Sequence, residues 1–143
     1  MPIINFYQIS DGSIEKTACQ LLEKCYKNGS KTLVRVANET AVENINKSLW
    51  TFSQKAFIPH GSKDDEIQKN QPIYITNRDE NPIDATMLML VSSLDGIYQN
   101  FERIFVLFPD SMFPEVESHL EKLKAKNEVS IYKQAKGGSW TRA

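Results

Sequence analysis

The first part of the chain alternates between short apolar runs and longer amphipathic stretches. Residues 3–9 are mostly apolar and rich in β-branched and aromatic types, which predicts a strand. Asp11 and Ser13 then offer N-cap oxygens for a helix that continues to about Lys27 with its apolar residues on one face. The next apolar run, 32–37, predicts a second strand. The short connection from helix to strand indicates that the two strands are parallel.

The same alternation continues to the end of the chain. Asn38 can cap a second helix that ends near Phe52. The later predicted elements are a strand at 72–76, a strand or the start of a helix at 86–93, a strand at 103–108, a helix opened by Phe113-Pro114, and a strand at 128–133. The polar stretch 61–71 is predicted to be a mobile loop and 135–143 a tail. This order predicts one α/β domain, a mainly parallel sheet with helices on both faces.

Composition and charge narrow the class of protein. A chain of 143 residues with 41% hydrophobic and 24% charged residues can bury its own core. Its net charge of −1 provides no general attraction to nucleic acid or to membranes. No apolar run is long enough to span a membrane, and the first residues do not resemble a signal peptide. Cys19 and Cys25 lie about 120° apart on one helix, too divergent to bridge. We therefore expect reduced thiols and a cytoplasmic location.

Residues that could support catalysis or bind a cofactor are sparse. The sequence GSKT at 29–32 resembles the end of a phosphate loop, but it leads from a helix into a strand, whereas phosphate binding needs the turn from strand to helix. His60 and His119 are the only histidines, and no set of residues has the spacing of a zinc site. The acidic runs at 64–66 and 78–80 are interpreted as solvated. We predict no catalytic residue, no metal and no cofactor, and the rival hypothesis is a small-molecule or nucleotide-binding enzyme on the same sheet.

The second predicted helix ends in an aromatic stretch. Its core-facing stripe consists of Val42, Ile45, Leu49 and Phe52. Trp50 lies roughly 100° from the edge of this stripe, and Phe57 follows in a loop. One interpretation is an exposed aromatic patch that binds another protein, since aromatic residues are frequent interface hot spots. The other is that Trp50 packs under its own loop while Phe57 covers the sheet edge. His60 is interpreted as a residue that fixes the loop.

The last predicted helix combines an apolar stripe with basic residues. The stripe that should face the core consists of Val116, His119, Leu120 and Leu123. From 119 onward six basic residues stand against two acidic ones, a balance of +4. One interpretation is that the lysines serve the helix dipole and solubility, and the other is that they form a cationic patch for an acidic peptide or a nucleic-acid backbone.

Several segments together resemble a known family. They are NFYQI, ACQLLEKCYKNGSKTLVRV, LWTF followed by FIPHG, QPIYIT and YKQAKGGSW, in this order over nearly the whole chain. The set is similar to the chi subunits of bacterial DNA polymerase III. The resemblance implies an α/β fold akin to helicase-type nucleotide-binding domains but without a phosphate loop. It also implies a non-catalytic accessory protein that bridges the psi subunit of the clamp loader and the acidic, phenylalanine-ending tail of single-stranded DNA-binding protein. Contact with nucleic acid would be mainly indirect, and weak direct binding is the alternative.

The resemblance also suggests which residues contact each partner. The tryptophan of LW and the phenylalanine of FIPH belong to the family's psi-binding surface, so the predicted set here is Trp50, Phe52, Phe57, Ile58, Pro59 and His60. The tail-binding pattern is less well kept, because Leu120 replaces an aromatic residue and Glu117 and Ser118 replace common basic ones. The predicted tail-binding set is Val116 and Leu120 for the apolar contact, with Lys122, Lys124 and Lys126 for the carboxylates; otherwise tail binding is weak.

Overall fold

The strands and helices follow the predicted order, with two short additional strands. The computed structural model describes residues 3–10, 14–56, 61–62, 72–94, 96–97, 101–134 and 140–142; for 50, 52–56, 61–62 and 142 only the backbone is described. The elements are β1 (Ile3–Ile9), α1 (Ile14–Lys27), β2 (Thr32–Val36), α2 (Glu39–Ala56), β3 (Gly61–Ser62), β4 (Ile73–Thr76), β5 (Met87–Val91), β6 (Arg103–Pro109), a 3-10 turn (Asp110–Met112), α3 (Phe113–Lys124), β7 (Glu128–Gln134) and β8 (Trp140–Arg142).

Eight strands form one sheet in the order β3-β4-β2-β5-β6-β1-β7-β8. Every neighbouring pair is parallel except β7 and β8, which are antiparallel. In the middle of the sheet Ile4 lies opposite Ile104 on one side and Val129 on the other. The mainly parallel α/β fold is therefore confirmed.

Alternate residues of each strand supply two hydrophobic layers. On one face α1 and α2 cover a layer that includes Val34, Ile75 and Leu107. On the other face α3 and the segments that connect β4, β5 and β6 cover a layer that includes Phe6 and Val106. Because side chains point alternately to the two faces of a strand, strands buried on both faces are apolar at nearly every position. Helices on both faces, as predicted, produce this pattern.

Local signals explain where the helices begin and end. The Oδ1 atom of Asn38 accepts a hydrogen bond of 2.9 Å from the Ala41 N–H, so Asn38 caps α2 as predicted. The turn after α1 contains Gly29 at φ 75°, a left-handed conformation that favours glycine, and the Ser30 N–H returns to the Cys25 carbonyl at 3.0 Å. Proline in the first turn of α3 confirms the predicted start of that helix. The predicted α1 caps, Asp11 and Ser13, lie outside the described residues.

Four details differ from the sequence-based predictions or complete them. The helix α2 extends to Ala56, one turn beyond Phe52. The undecided run 86–93 forms strand β5. Gly61 and Ser62 pair with β4, so the predicted loop 61–71 begins with a short strand, and its remainder lies outside the described residues. The predicted tail is partly wrong, because residues 140–142 form β8 beside β7, where the Trp140 ring meets the Tyr7 ring edge-on at 5.5 Å between centroids.

In the described part of the chain, no helix has the length and apolar character needed to cross a bilayer.

Candidate protein-interaction surfaces

The second half of α2 includes the first two predicted psi-binding residues. Val42, Ile45 and Leu49 are buried against the sheet, at 6%, 1% and 0% exposure, which confirms the stripe for these three residues. The helical backbone continues through Trp50 and Phe52, whose side chains are outside the description. The remaining four residues of that predicted set, 57–60, also lie outside the described residues.

Neighbouring residues show which side of α2 is exposed near position 50. Glu43 and Lys47 precede this position by seven and three residues, and both are exposed. At 100° per residue, position 50 lies about 20° from Glu43 and about 60° from Lys47 around the helix axis. Position 50 of the helix lies between the exposed Glu43 and the half-buried Asn46, about 80° from Val42, the nearest residue of the buried stripe.

The inward stripe of α3 is used by the core. Val116 and Leu123 are each 1% exposed and Leu120 is 8% exposed, and all three belong to the layer that contains Phe6. The predicted core-facing stripe is confirmed for these residues, and His119 is half-buried beside them. In this packing the side chains of Val116 and Leu120 lie beneath α3 rather than on the surface. The expectation that they meet a phenylalanine of a partner stays a prediction, to which these two residues bring little exposed surface.

The three predicted lysines lie at the C-terminal end of α3. Lys122 and Lys124 are in its last turn, whereas Lys126 follows the helix end, and all three are exposed. Asn127 satisfies the Leu123 carbonyl, to which its main-chain N–H donates at 2.9 Å and its side-chain amide at 3.0 Å. The Leu123 carbonyl therefore does not need a lysine as its hydrogen-bond partner. These exposed lysines lie near the negative end of the helix dipole, where their charges stabilise the helix and raise the local positive potential.

Both cysteine thiols are buried in α1. Burial, with a smaller contribution from the Glu15 carboxylate, raises the pKa of Cys19 to about 11. Burial is also the main cause that raises the pKa of Cys25. Both groups are thus protonated thiols near neutral pH, whereas a nucleophilic cysteine needs a thiolate. Within the described residues, no three histidine, cysteine, aspartate or glutamate side chains form a group suited to a metal ion.

One polar cluster was missed by the sequence analysis. Arg35 is a buried residue of β2, 5% exposed, and its guanidinium lies 3.1 Å from the Asp79 carboxylate. The hydroxyls of Tyr74 and Thr76 donate to the neighbouring Glu80 at 3.1 and 2.7 Å. The acidic run 78–80, interpreted from sequence as solvated, therefore ties the segment after β4 to the sheet. The only signal in the sequence was a charged residue, Arg35, inside the short strand TLVRV.

Comparison with known proteins gives consistent matches. Residues 1–131 match the sequence model of the family described as "DNA polymerase III chi subunit, HolC". A protein of Rickettsia prowazekii (strain Madrid E), named "Probable DNA polymerase III subunit chi", is 33% identical over 152 aligned positions, which cover 99% of this chain and 92% of that protein. The Pseudomonas aeruginosa "DNA polymerase III subunit chi" is 27% identical over 107 positions, 73% of this chain and 75% of that protein. The protein of that name in Haemophilus influenzae is 27% identical over half of each chain.

Proposed function

Since this chain belongs to the family of DNA polymerase III chi subunits, with an accessory role in DNA replication, we propose that it is a non-catalytic bridge between two proteins. One partner is the psi subunit of the clamp loader, and the other is the acidic C-terminal tail of single-stranded DNA-binding protein. The observation that carries the proposal is the family match over residues 1–131, which includes the aromatic stretch at the end of α2. The protein would act in the cytoplasm, where the polymerase holoenzyme replicates DNA.

The psi subunit is proposed to bind at the end of α2. The support is the exposed side of the helix at Glu43 and Lys47, which position 50 shares, and the short distance along the chain from Trp50 to Phe57. Truncating an aromatic residue at the centre of an interface weakens binding by about 2 kcal/mol or more. Trp50 and Phe57 are proposed as residues of this kind, with Phe52, Ile58, Pro59 and His60 around them.

Co-purification tests the psi-binding proposal. The double variant Trp50→Ala with Phe57→Ala should lose the psi subunit from a tagged pull-down while its circular dichroism stays that of the parent. Asn44→Ala is the matched control, because Asn44 is an exposed residue of the same helix about 120° from position 50. Retention of psi by the double variant at the parent's level would refute this surface.

The tail of single-stranded DNA-binding protein is proposed to bind the lysines at the end of α3. Lys122, Lys124 and Lys126 are three exposed cations within five residues, and this density of positive charge attracts acidic partners. Exposed ion pairs contribute only about 0.2–1 kcal/mol each, so the contact would be weak and sensitive to salt. Weak binding suits a partner that must be released as the polymerase advances.

Titration with an acidic peptide that ends in phenylalanine tests this second contact. Changing the three lysines together to glutamine should weaken binding by about tenfold at low salt, since three exposed pairs are lost. Lys47→Gln on α2 is the control, an exposed lysine remote in sequence from α3. The same affinity in the triple variant and in the parent would remove these lysines from the proposal.

A further inference from the structure

A small cavity opens where the parallel strands begin. It has a volume of about 190 Å³ and lies at the N-terminal ends of β1, β5 and β6, beneath the second half of α1. We call it the amino-edge pocket and define it by Tyr7, Met87, Arg103 and Phe105 on the sheet and by Leu21 and Lys24 on the helix. The strand residues face α1 because they share the alternation that places Phe105 in the layer under that helix.

Within the part of the chain that the structure describes, the lining of the pocket has two cations and no carboxylate. Lys24 is exposed at the rim and Arg103 is partly buried. Among the described residues, neither side chain lies within 4.0 Å of a carboxylate, whereas the nearby Lys27 pairs with Glu23 at 2.7 Å. The Cys25 thiol, which also lines the pocket, is protonated because its burial raises its pKa. The lining is therefore positively charged, and it attracts an anion.

The remaining lining combines three apolar residues with four neutral polar ones, Asn5, Tyr7, Asn28 and Ser30. Leu21, Met87 and Phe105 provide the apolar walls, and a cavity of about 150 Å³ is already large enough for a benzene ring. Asn5 and Tyr7 add an amide and a phenol. Burial raises the pKa of Tyr7, so its hydroxyl keeps its proton and can donate to an anion. The pocket is too small for a nucleotide and fits one apolar group with one anionic head.

We propose that the amino-edge pocket binds a monocarboxylate that bears a single apolar side chain, with the carboxylate between Arg103 and Lys24 and the apolar group against Leu21, Met87 and Phe105. A free organic acid and the C-terminal residue of a polypeptide share this chemistry. The proposal is independent of the lysines at the end of α3, because α3 packs on the opposite face of the sheet.

The first experiment is an NMR titration of the ¹⁵N-labelled full chain with 3-phenylpropionate. Saturable shifts are expected at the amides of Tyr7, Leu21 and Phe105. The neutral analogue 3-phenylpropionamide should bind at least about tenfold more weakly, because it lacks the charge that strengthens the hydrogen bonds to the two cations. Absence of saturable shifts at these amides, or equal affinity of the acid and the amide, would overturn the proposal.

Variants assign the anion-binding groups. Arg103→Gln should weaken binding of 3-phenylpropionate by about tenfold or more, and Lys24→Gln by a smaller factor because Lys24 is exposed. Lys27→Gln is the matched control, a lysine of the same helix outside the pocket, and it should bind like the parent. Lys24→Glu reverses the charge at an exposed position, so this change should weaken binding without unfolding the protein. Unchanged affinity in both Arg103→Gln and Lys24→Glu would refute the assignment.

A peptide arm distinguishes the two sources of the carboxylate. A short peptide that ends in a free phenylalanine is compared with the same peptide amidated at its C-terminus and with 3-phenylpropionate. Tighter binding of the free peptide than of the small acid would identify a polypeptide terminus as the ligand. Tighter binding of the small acid would identify a free organic acid. Equal affinity for the free and amidated peptides together with no binding of the small acid would contradict the pocket's chemistry.

Discussion

Arg35 and Arg103 both belong to strands of the same sheet, but their surroundings differ. Arg35 lies near the end of β2, is 5% exposed, and has the Asp79 carboxylate at 3.1 Å. Arg103 begins β6, is partly buried, and faces a pocket whose described lining residues include no carboxylate. The chain thus neutralises one arginine with its own acidic segment and leaves the other beside an open cavity.

The difference suggests how structural and ligand-binding cations can be told apart. A buried charge is costly unless the protein pairs it, so an arginine with a built-in partner usually supports the fold. For an arginine in contact with water, the free-energy cost of having no carboxylate partner is smaller. Such an arginine can replace its bound water by an external anion. Stability should therefore depend mainly on Arg35, and ligand affinity mainly on Arg103.

The largest expected effect is the loss of stability in Arg35→Ala. The change removes a long buried side chain from one face of the sheet and leaves a cavity, which should lower the free energy of unfolding by roughly 2–3 kcal/mol. Arg103→Ala should cost less than about 1 kcal/mol, because part of that side chain is already in solvent. Urea unfolding followed by circular dichroism measures both, and equal losses in the two variants would contradict the comparison.

Much of the fold could be predicted because local patterns determine it. The apolar run of strand Arg103–Pro109 can be recognised from neighbouring residues alone. The same is true of the helical repeat that places Val116 on the buried face of α3. The short strands β3 and β8 were missed because pairing with distant partners, not local pattern, makes them strands. The extent of α2 was underestimated because no glycine or proline stands between Phe52 and Ala56 to end the helix.

The polar sites were harder to predict than the fold. Arg35 and Asp79 are 44 residues apart in sequence, and only the pairing of β2 with β4 brings them together. The amino-edge pocket joins β1, α1 and β6, which no local motif connects. Leu120 was predicted both to face the core and to contact a partner; its 8% exposure confirms the first, and the second stays a prediction.

An intermediate effect is expected for Glu80→Ala. The Glu80 carboxylate accepts hydrogen bonds from the Tyr74 and Thr76 hydroxyls, and Thr76 is fully buried. Removing the acceptor leaves that buried hydroxyl to find another partner, which should cost about 1–2 kcal/mol in the same urea experiment. Glu43→Ala, at an exposed position of α2, should change the stability by less than about 0.5 kcal/mol. If the two glutamate variants were equally stable, the acidic segment after β4 would not anchor to the sheet as described.

The smallest effect is expected for Asp79→Asn, and it tests the partner of Arg35 rather than Arg35 itself. The Asp79 side chain is 82% exposed, so water screens its attraction to the guanidinium. An asparagine Oδ1 atom can accept the same hydrogen bond, and only the charge is lost. We expect the free energy of unfolding to fall by about 0.5–1 kcal/mol. The difference from the parent should become smaller when sodium chloride is added, because salt screens the attraction between Asp79 and Arg35 in the parent. A salt-independent loss above about 2 kcal/mol would show that Asp79 neutralises a fully desolvated charge. Arg35 would then differ from Arg103 because the Arg35–Asp79 pair is buried, and not only because Arg35 has a carboxylate beside it.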